Sequence, residues 1–296
     1  MNIGILSARD RNYHPNQRLL EASRERGHEA RLIHPKDCRS LLASGGMTIE
    51  GPGIRPRVLL PRIGATINDY ALALIRHFEL SGTQLINGFP AIALTRDKFL
   101  GLQTLTAGGI PVPRSILVSN PGNLEQAVED LGGCPVVVKA LRSRQGQGVF
   151  LLEHPSDGAE LVERFDARKR GLLVQEYIPP AGRMDVRLFV LGDQIPAAAA
   201  LTPQEGNFRA NIHQNGHARI FAPEPALVDL ALEAKRALGL DIAGVDVIID
   251  RNGGPWVIEV NYSPGFKGLE AVSGLDIAAE IIHYVERVHA RKNGDR

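Results

Sequence analysis

The chain has 296 residues, 44% hydrophobic and 23% charged, which is enough for two or three packed domains and too apolar for disorder over most of its length. Thirty-four basic residues against 33 acidic ones leave a net charge of +1, and only 5% of residues are aromatic, so neither nucleic acid nor an anionic membrane is an implied partner. Cys38 and Cys134 are too few for a disulfide framework, the start lacks a cleavable leader, and no apolar stretch reaches membrane-spanning length; the expected compartment is the cytoplasm.

The predicted elements begin with a strand at Ile3 to Leu6, a helix from near Asn16 to Arg26 stopped by Gly27, and a strand around Ala30 to His34. This is a βαβ pattern, but its first strand leads into Ser7-Ala8-Arg9-Asp10 instead of G-x-G-x-x-G, so no dinucleotide site is expected. A Gly/Pro-rich stretch, Gly45 to Pro56, precedes a strand at Val58 to Leu60, a helix from about Ile67 to Leu80 and a short strand before Asn87. A first α/β domain is placed at residues 1–90. Residues 91–182 open with one helix that carries Arg96-Asp97-Lys98 and ends at Gly108-Gly109. They continue as strand Ser115 to Val118, a helix near Leu124 to Leu131, strands Val136 to Lys139 and Val149 to Leu152, a helix, and strand Leu172 to Tyr177. The third part, 183–296, contains a hairpin turning at Gly192-Asp193 and a polar stretch from Thr202 to Gly216. A helix at Pro225 to Leu238, a second hairpin from Gly244 to Asn261 and a closing helix near Ile277 to Ala290 follow.

The second hairpin is the most informative segment. Val245 to Asp250 and Pro255 to Val260 alternate at period 2, and Asn252-Gly253 is a two-residue turn signal. Pairing centred on that turn sets Asp246 opposite Glu259, with Asn261 on the same face. Two facing carboxylates repel unless a cation lies between them, and two carboxylates with an amide oxygen are hard donors suited to Mg²⁺. A solvated acidic face is the other reading of this segment alone.

Three further features carry chemistry. Lys139 ends the apolar run Pro135 to Val138, so its ammonium either meets an anion inside the fold or reaches out to water at the strand end. Arg142 to Gly148, with Gly146 and Gly148, links two strands and can turn backbone N–H groups toward phosphate or be an ordinary hairpin loop; it lacks the ending of a P-loop. In Asn207 to His213, Arg209 can clamp a phosphate and Asn211 can ligate a metal or hydrogen-bond a transferred group. No Ser-His-Asp or Cys-His nucleophile pattern is evident.

In this order the series resembles the ATP-grasp superfamily and, more narrowly, the RimK-type carboxylate–amine ligases. The matching segments are the MNIGILS start, PRIG at Pro61 to Gly64, RDK at Arg96 to Lys98, QEYI at Gln175 to Ile178 and DVR at Asp185 to Arg187, followed by FRAN at Phe208 to Asn211, AGVDV, and EVNYSPG at Glu259 to Gly265. The resemblance implies an α/β ATP-grasp fold with a Rossmann-like pre-ATP-grasp domain, a central lid and an antiparallel catalytic domain. It implies that Lys98 and Lys139 contact ATP phosphates, that the loop with Gln145, Gly146 and Gly148 covers them, and that Glu176, Tyr177 and Ile178 hold adenine with Asp185 nearby. It further places Arg209, Asn211 and Arg187 at the reacting groups, and has Asp246, Glu259 and Asn261 hold two Mg²⁺, with Mn²⁺ able to substitute.

The implied reaction activates a carboxylate as an acyl phosphate and joins it to an amine, commonly that of L-glutamate; the acceptor is a protein C-terminus, a peptide or a small acid, and, since members of this fold often associate, the composition is compatible with a dimer or tetramer. A phosphotransferase on the same fold and a silent nucleotide-binding partner are the alternatives. Two departures from the RimK pattern, Arg142-Ser143-Arg144 in place of Glu-Gly-Thr and Gln214-Asn215 in place of Arg-Gly, point to a different acceptor.

Overall fold

The structure is a computed structural model and describes residues 1–51, 55–64, 67–142, 148–202 and 217–294. The chain opens with strand β1 (Asn2–Leu6), helix α1 (His14–Glu25) and strand β2 (Glu29–Ile33); strands β3 (Arg39–Ala43) and β4 (Gly46–Glu50) follow, then β5 (Val58–Pro61), α2 (Asp69–Leu80) and β6 (Gln84–Leu85). Strands β2-β1-β5-β6 form a parallel sheet, and Ile3, Ile5, Leu59 and Leu60 in its middle are fully buried, as expected of strands covered on both faces. Helix α2 begins at Asp69, two residues after the predicted start, because the Asn68 side chain accepts from the Ala71 amide at 2.9 Å and caps it. The β3–β4 hairpin is not among the predicted elements: β4 falls within the Gly/Pro-rich stretch Gly45 to Pro56 and β3 before it, and their side chains are nearly all exposed, so they carry no period-2 burial signal.

The single helix predicted around Arg96 to Lys98 is two, α3 (Phe89–Thr95) and α4 (Lys98–Ala107). Asp97 breaks it: in extended conformation its carboxylate accepts from the amides of Phe99 and Leu100 at 3.1 and 3.3 Å and starts α4 afresh. Strand β7 (Ser115–Val118), α5 (Pro121–Asp130), β8 (Val136–Ala140), β9 (Val149–Leu152), α6 (Gly158–Arg164), α7 (Ala167–Arg170) and β10 (Leu172–Glu176) build a second sheet, antiparallel, in the order β7-β10-β8-β9. The third sheet, also antiparallel, has the order β13-β12-β11-β14-β15 and is built from β11 (Met184–Leu191), β12 (Gln194–Thr202), β13 (His217–Ile220), β14 (Ile242–Ile249) and β15 (Pro255–Asn261). Helix α8 (Pro225–Ala237) precedes β14, and α9 (Lys267–Ser273) and α10 (Ile277–Gly294) close the chain.

The cores are distributed unevenly. Val118, Leu124, Val136, Val138, Leu161, Leu172 and Val174 form a core belonging to the second sheet alone. The first and third sheets share theirs: Ile3, Ile5 and Leu60 pack in one cluster with Phe189, Leu191, Phe266 and Ile281. Ion pairs Arg18–Asp276 and Arg26–Glu286, each at 2.7 Å, tie α1 to the C-terminal region. Asn87, 2% exposed, pins the same junction from inside. Its amide nitrogen donates to the carbonyls of Ile242 and Tyr262 at 2.8 and 2.7 Å, and its oxygen accepts from the amides of Asp241 and Ile242 at 2.6 and 2.9 Å.

Removing Asn87 leaves four buried backbone groups without this partner, so Asn87→Ala is expected to cost about 2–4 kcal/mol in denaturant unfolding. A loss below about 0.5 kcal/mol would show that water replaces the clamp.

Candidate active site

The site is built on the β14–β15 hairpin. Asp246 pairs with Glu259, the register read from the sequence, but the turn that delivers it differs from the predicted two-residue loop. Asp250 and Gly254 close a three-residue turn: Gly253 donates to the Asp250 carbonyl at 2.9 Å and takes φ +84°, which suits glycine. That turn pairs Val247 with Val257. One extra residue, Ile258, forms a bulge and restores the Asp246–Glu259 pairing. The bulge also changes phase, so Val257 and Val260 both reach the core while Glu259 and Asn261 line the cavity. The turn itself is fastened by the Asp250 carboxylate, which accepts from the amides of Asn252 and Gly254 and from the Trp256 indole at 2.8, 2.9 and 2.9 Å. Those donors, Trp256 first, hold its carboxyl below the usual range.

Each carboxylate of the facing pair has a cation. Arg187, opposite Asp246 on β11, donates to both its oxygens from Nε and a terminal nitrogen at 2.6 and 2.7 Å, a bidentate fork. Lys98, brought to the cavity by the Asp97 cap at the start of α4, donates to Glu259 at 2.5 Å. Burial favours neutral Glu259, but Lys98, Lys139 and Arg187 outweigh it and hold the carboxyl below its ordinary value. Burial likewise works against the Arg187 charge, and Asp246 overcomes it. The Asn261 amide nitrogen donates to Asp246 at 3.2 Å, and Asn261 faces the cavity beside Glu259.

Lys139 lies inside, 7% exposed, on β8 of the second sheet, and does not reach out to solvent. It donates to the Gln175 carbonyl oxygen at 2.5 Å, and Gln175 donates in turn to the Ser115 hydroxyl at 2.8 Å. Burial, then the nearby Lys98, push the Lys139 ammonium down to about 8 despite Glu259 and Asp246.

These groups surround one cavity of about 590 Å³ between the second and third sheets, also lined by residues of the first domain. Its lining includes Lys98, Lys139, Glu176, Tyr177, Ile178, Asp185, Arg187, Asp246, Glu259 and Asn261, so the structure brings these sequence-predicted residues together. Gly148 is buried next to the lining residue Val149 but is not itself part of the lining, and its carbonyl accepts from the Ala140 amide at 2.7 Å. Gln145, Gly146, Arg209 and Asn211 lie outside the described residues. Asp185 accepts from Arg183 at 3.1 Å with its other oxygen enclosed without a partner, and burial raises its carboxyl above the ordinary value. Arg183 also donates to the Ile178 carbonyl at 2.5 Å and so holds the segment after β10. Sequence reading gave no role to Arg183 or Gln175; a polar residue within the buried strand Leu172 to Gln175 was the available signal, since such a group demands a partner.

The donor set can hold a divalent cation. Among the described residues no cluster of three or more His, Cys, Asp or Glu side chains occurs, but Asp246, Glu259 and Asn261 offer two carboxylates and an amide oxygen at a cavity wall. Mg²⁺ is characteristically held by one or two carboxylates, with substrate phosphates and water filling the remaining positions, so these residues fit it.

A cavity gripped between two antiparallel sheets, with cations from both facing a pair of carboxylates, defines the nucleotide-grasping class of ligases. The RimK pre-ATP-grasp domain matches residues 1–92 and the RimK-like ATP-grasp domain residues 95–285, so the chain belongs to the RimK-like ATP-grasp family. A protein of Shewanella loihica called a probable alpha-L-glutamate ligase is 39% identical over 100% of this chain and 98% of its own length. One of the same description from Pseudoalteromonas translucida is 38% identical over 99% and 97%. Among solved structures, the RimK domain ATP-grasp protein of Sphaerobacter thermophilus has a TM-score of 0.76 at 25% identity, covering 96% of this chain and 99% of that one. The ATP-grasp ligase PsnB, in complex with its minimal precursor, Mg and ADP, shares the fold at a TM-score of 0.72 and 21% identity, covering 96% of each chain. The protein is thus an ATP-dependent carboxylate–amine ligase of a family that uses ATP and Mg²⁺. Among the described residues no helix is long and apolar enough to cross a membrane.

The depressed Lys139 fixes a pH signature. An unfolded lysine titrates near its ordinary value of about 10.4, so between pH 8 and 10 the unfolded chain binds the extra proton and stability rises with pH; below 8 the full cost of the buried charge is present. The stability of the unliganded protein relative to Lys139→Met should therefore rise by about 2–3 kcal/mol from pH 7 to pH 10 in denaturant unfolding. A constant difference would mean that Lys139 keeps an ordinary ammonium.

Proposed function

We propose that the protein phosphorylates a substrate carboxylate with ATP and joins the resulting acyl phosphate to the amine of an amino acid, L-glutamate being the candidate that the relatives' description supplies. The observation that carries this reading is the charge arrangement: Lys98, Lys139 and Arg187 converge with Asp246 and Glu259 on one cavity, and among the described lining residues no cysteine occurs and no histidine accompanies Ser263 as a base. Phosphoryl transfer asks for alignment and charge neutralisation more than for protein covalent chemistry.

Lys98 and Lys139 bind the phosphates, and the Arg142 to Gly148 loop, with Gln145 and Gly146, covers them. Phosphate arriving at Lys139 gives the buried ammonium the anion that Gln175 only partly replaces. Glu176, Tyr177 and Ile178 form the adenine edge, held by Arg183, with Asp185 beside it. Asp246, Glu259 and Asn261 hold Mg²⁺, which when bound neutralises the β- and γ-phosphates. Lys98, which donates to Glu259 in the unliganded protein, would turn to the phosphates once Glu259 serves the cation, while Arg187, Arg209 and Asn211 stand at the reacting groups.

In the first step a carboxylate oxygen attacks the γ-phosphorus and the bond to ADP breaks. In the second the amine nitrogen attacks the acyl carbon, the bond to phosphate breaks, and the amine proton is lost. Water must be excluded while the acyl phosphate exists. The division into domains 1–90, 91–182 and 183–296 serves that need through the part of the central domain from β7 to β10. Its sheet and helices have a separate core and can close as a lid, while Ala91, Ile92, Leu102 and Leu105 anchor the start of that domain in the core shared with the other two.

The experiment is ADP release by purified protein with ATP and Mg²⁺, amino acids being scanned against carboxylate acceptors and products read by mass spectrometry. One ADP per product heavier by one amino-acid residue is expected; ADP with a phosphorylated product would make the protein a phosphotransferase. Glu259→Gln should lower kcat by about 10²-fold or more with the fold retained, and near-normal turnover would remove Glu259 from the site. Asp246 is the poorer probe of function, since its loss leaves the buried Arg187 unpaired at a cost of about 3–5 kcal/mol in stability.

A further inference from the structure

Four arginines of the cavity lining have buried side chains. Three of them are paired: Arg187 with Asp246, Arg183 with Asp185 and Arg96 with Asp69. Arg62 is not. It follows β5 in the Pro61–Gly64 segment, is 6% exposed, and forms no ion pair among the described residues. One terminal nitrogen donates to the Pro264 carbonyl at 2.5 Å, the guanidinium carbon lies 5.7 Å from the centre of the Phe266 ring, and Nε is enclosed without an acceptor. Burial accordingly pulls its charge toward neutrality, down to about 10. A guanidinium enclosed beside one carbonyl and an aromatic ring is under-compensated, and among the four buried arginines the lack of a carboxylate partner is specific to this position.

The cavity side of Arg62 is where an anion can reach it. This end is formed by the first domain and by Tyr262 to Gly265, the segment immediately after β15, and it adjoins Asn261. The adenine edge and Lys139 belong to the second sheet instead. A reacting carboxylate is converted to an acyl phosphate and then to an amide, so it is a poor permanent counter-ion for a buried cation. The amino acid that supplies the amine keeps its carboxylates throughout.

We propose that Arg62 binds a non-reacting carboxylate of the amine substrate and fixes that amino acid beside Asn261. The assignment rests on the ligase reading above. A planar guanidinium takes a carboxylate bidentately, which an ammonium cannot reproduce. The exposed Arg9 at the same end, stacked 5.9 Å from the Tyr13 ring and in no ion pair among the described residues, offers a second cation at the mouth. Two cations suit an amine that carries two carboxylates.

The test uses the full chain with ATP and Mg²⁺, L-glutamate as probe and its two monoamides, L-glutamine and L-isoglutamine, as comparisons. The unmodified enzyme should show a KM at least about ten-fold higher for one monoamide than for L-glutamate; similar values for all three would overturn the proposal without any variant being made. Arg62→Gln should raise the KM for L-glutamate at least about ten-fold, leave the KM for ATP within about two-fold, and lose the discrimination against that monoamide, with Arg62→Lys recovering part of it. A rise in the KM for the carboxylate acceptor or for ATP in place of L-glutamate would make Arg62 a ligand of that substrate or a support for Pro264. If the unmodified enzyme forms no amide bond, the ligase reading falls and the amine assignment with it; amide formation with unaltered L-glutamate KM in Arg62→Gln sinks the Arg62 assignment alone.

Discussion

Two like charges set face to face organise this molecule. Asp246 and Glu259 are held opposite each other by backbone pairing that neither side chain can relax, so the surrounding structure must bring cations to them. Arg187 comes from the neighbouring strand and Lys98 from the start of a helix that precedes the second sheet, and each depends on a local device: a β-ladder register for one, the Asp97 cap for the other. The catalytic surface is in this sense a charge-balance problem that three parts of the chain solve jointly. In the unliganded protein the balance is internal. On the proposed reading substrate would exchange partners within it, so the side chains that balance one another here are the ones suited to phosphoryl transfer.

The distribution of cores gives that exchange room. The parallel sheet and the five-stranded sheet share apolar packing through Phe189, Phe266 and Ile281 and are fastened by Asn87, whereas the sheet carrying Lys139 has its own interior. That sheet meets the shared core through Leu173 and the half-buried Leu141, while Lys139 acts on the carboxylate wall electrostatically across the cavity. An element joined so narrowly can shift at small cost, because local opening costs least where few apolar contacts cross.

Much of this was readable from the residues. Apolar runs and alternation placed the strands of the three larger sheets except β13, which no predicted element covers, and the facing of Asp246 and Glu259 followed from hairpin symmetry. The symmetry argument reached the right register through the wrong turn: a three-residue loop and a bulge at Ile258 cancel, and neither has a distinctive composition. Asp97 was hidden because a cap in the middle of an apolar helical run looks like one charged residue among others. The β3–β4 hairpin was hidden because Leu41 and Leu42 are both exposed, so burial supplies no period. Arg62 sat within a matched motif, yet what sets it apart is the missing partner, and the absence of a carboxylate in three dimensions leaves no trace in a string of letters. The approach of Lys139 to Gln175 was equally out of reach, since the pair is 36 positions apart.

The Ile258 bulge has a consequence for how this hairpin can change over time. Because the bulge offsets β15 by one residue against the ladder that the turn sets, the loss or gain of a single residue between Val257 and Glu259 would reverse every side chain from there to the end of β15, turning Glu259 and Asn261 into the apolar interior and Val260 toward the charged wall. Length variation within the strand must occur in compensating pairs, whereas at the tip between Asp250 and Gly254 it leaves the ladder untouched. Descendants of this chain are thus free to vary the tip but not the bulge, and a library that randomises length within β15 would discard the site along with the register.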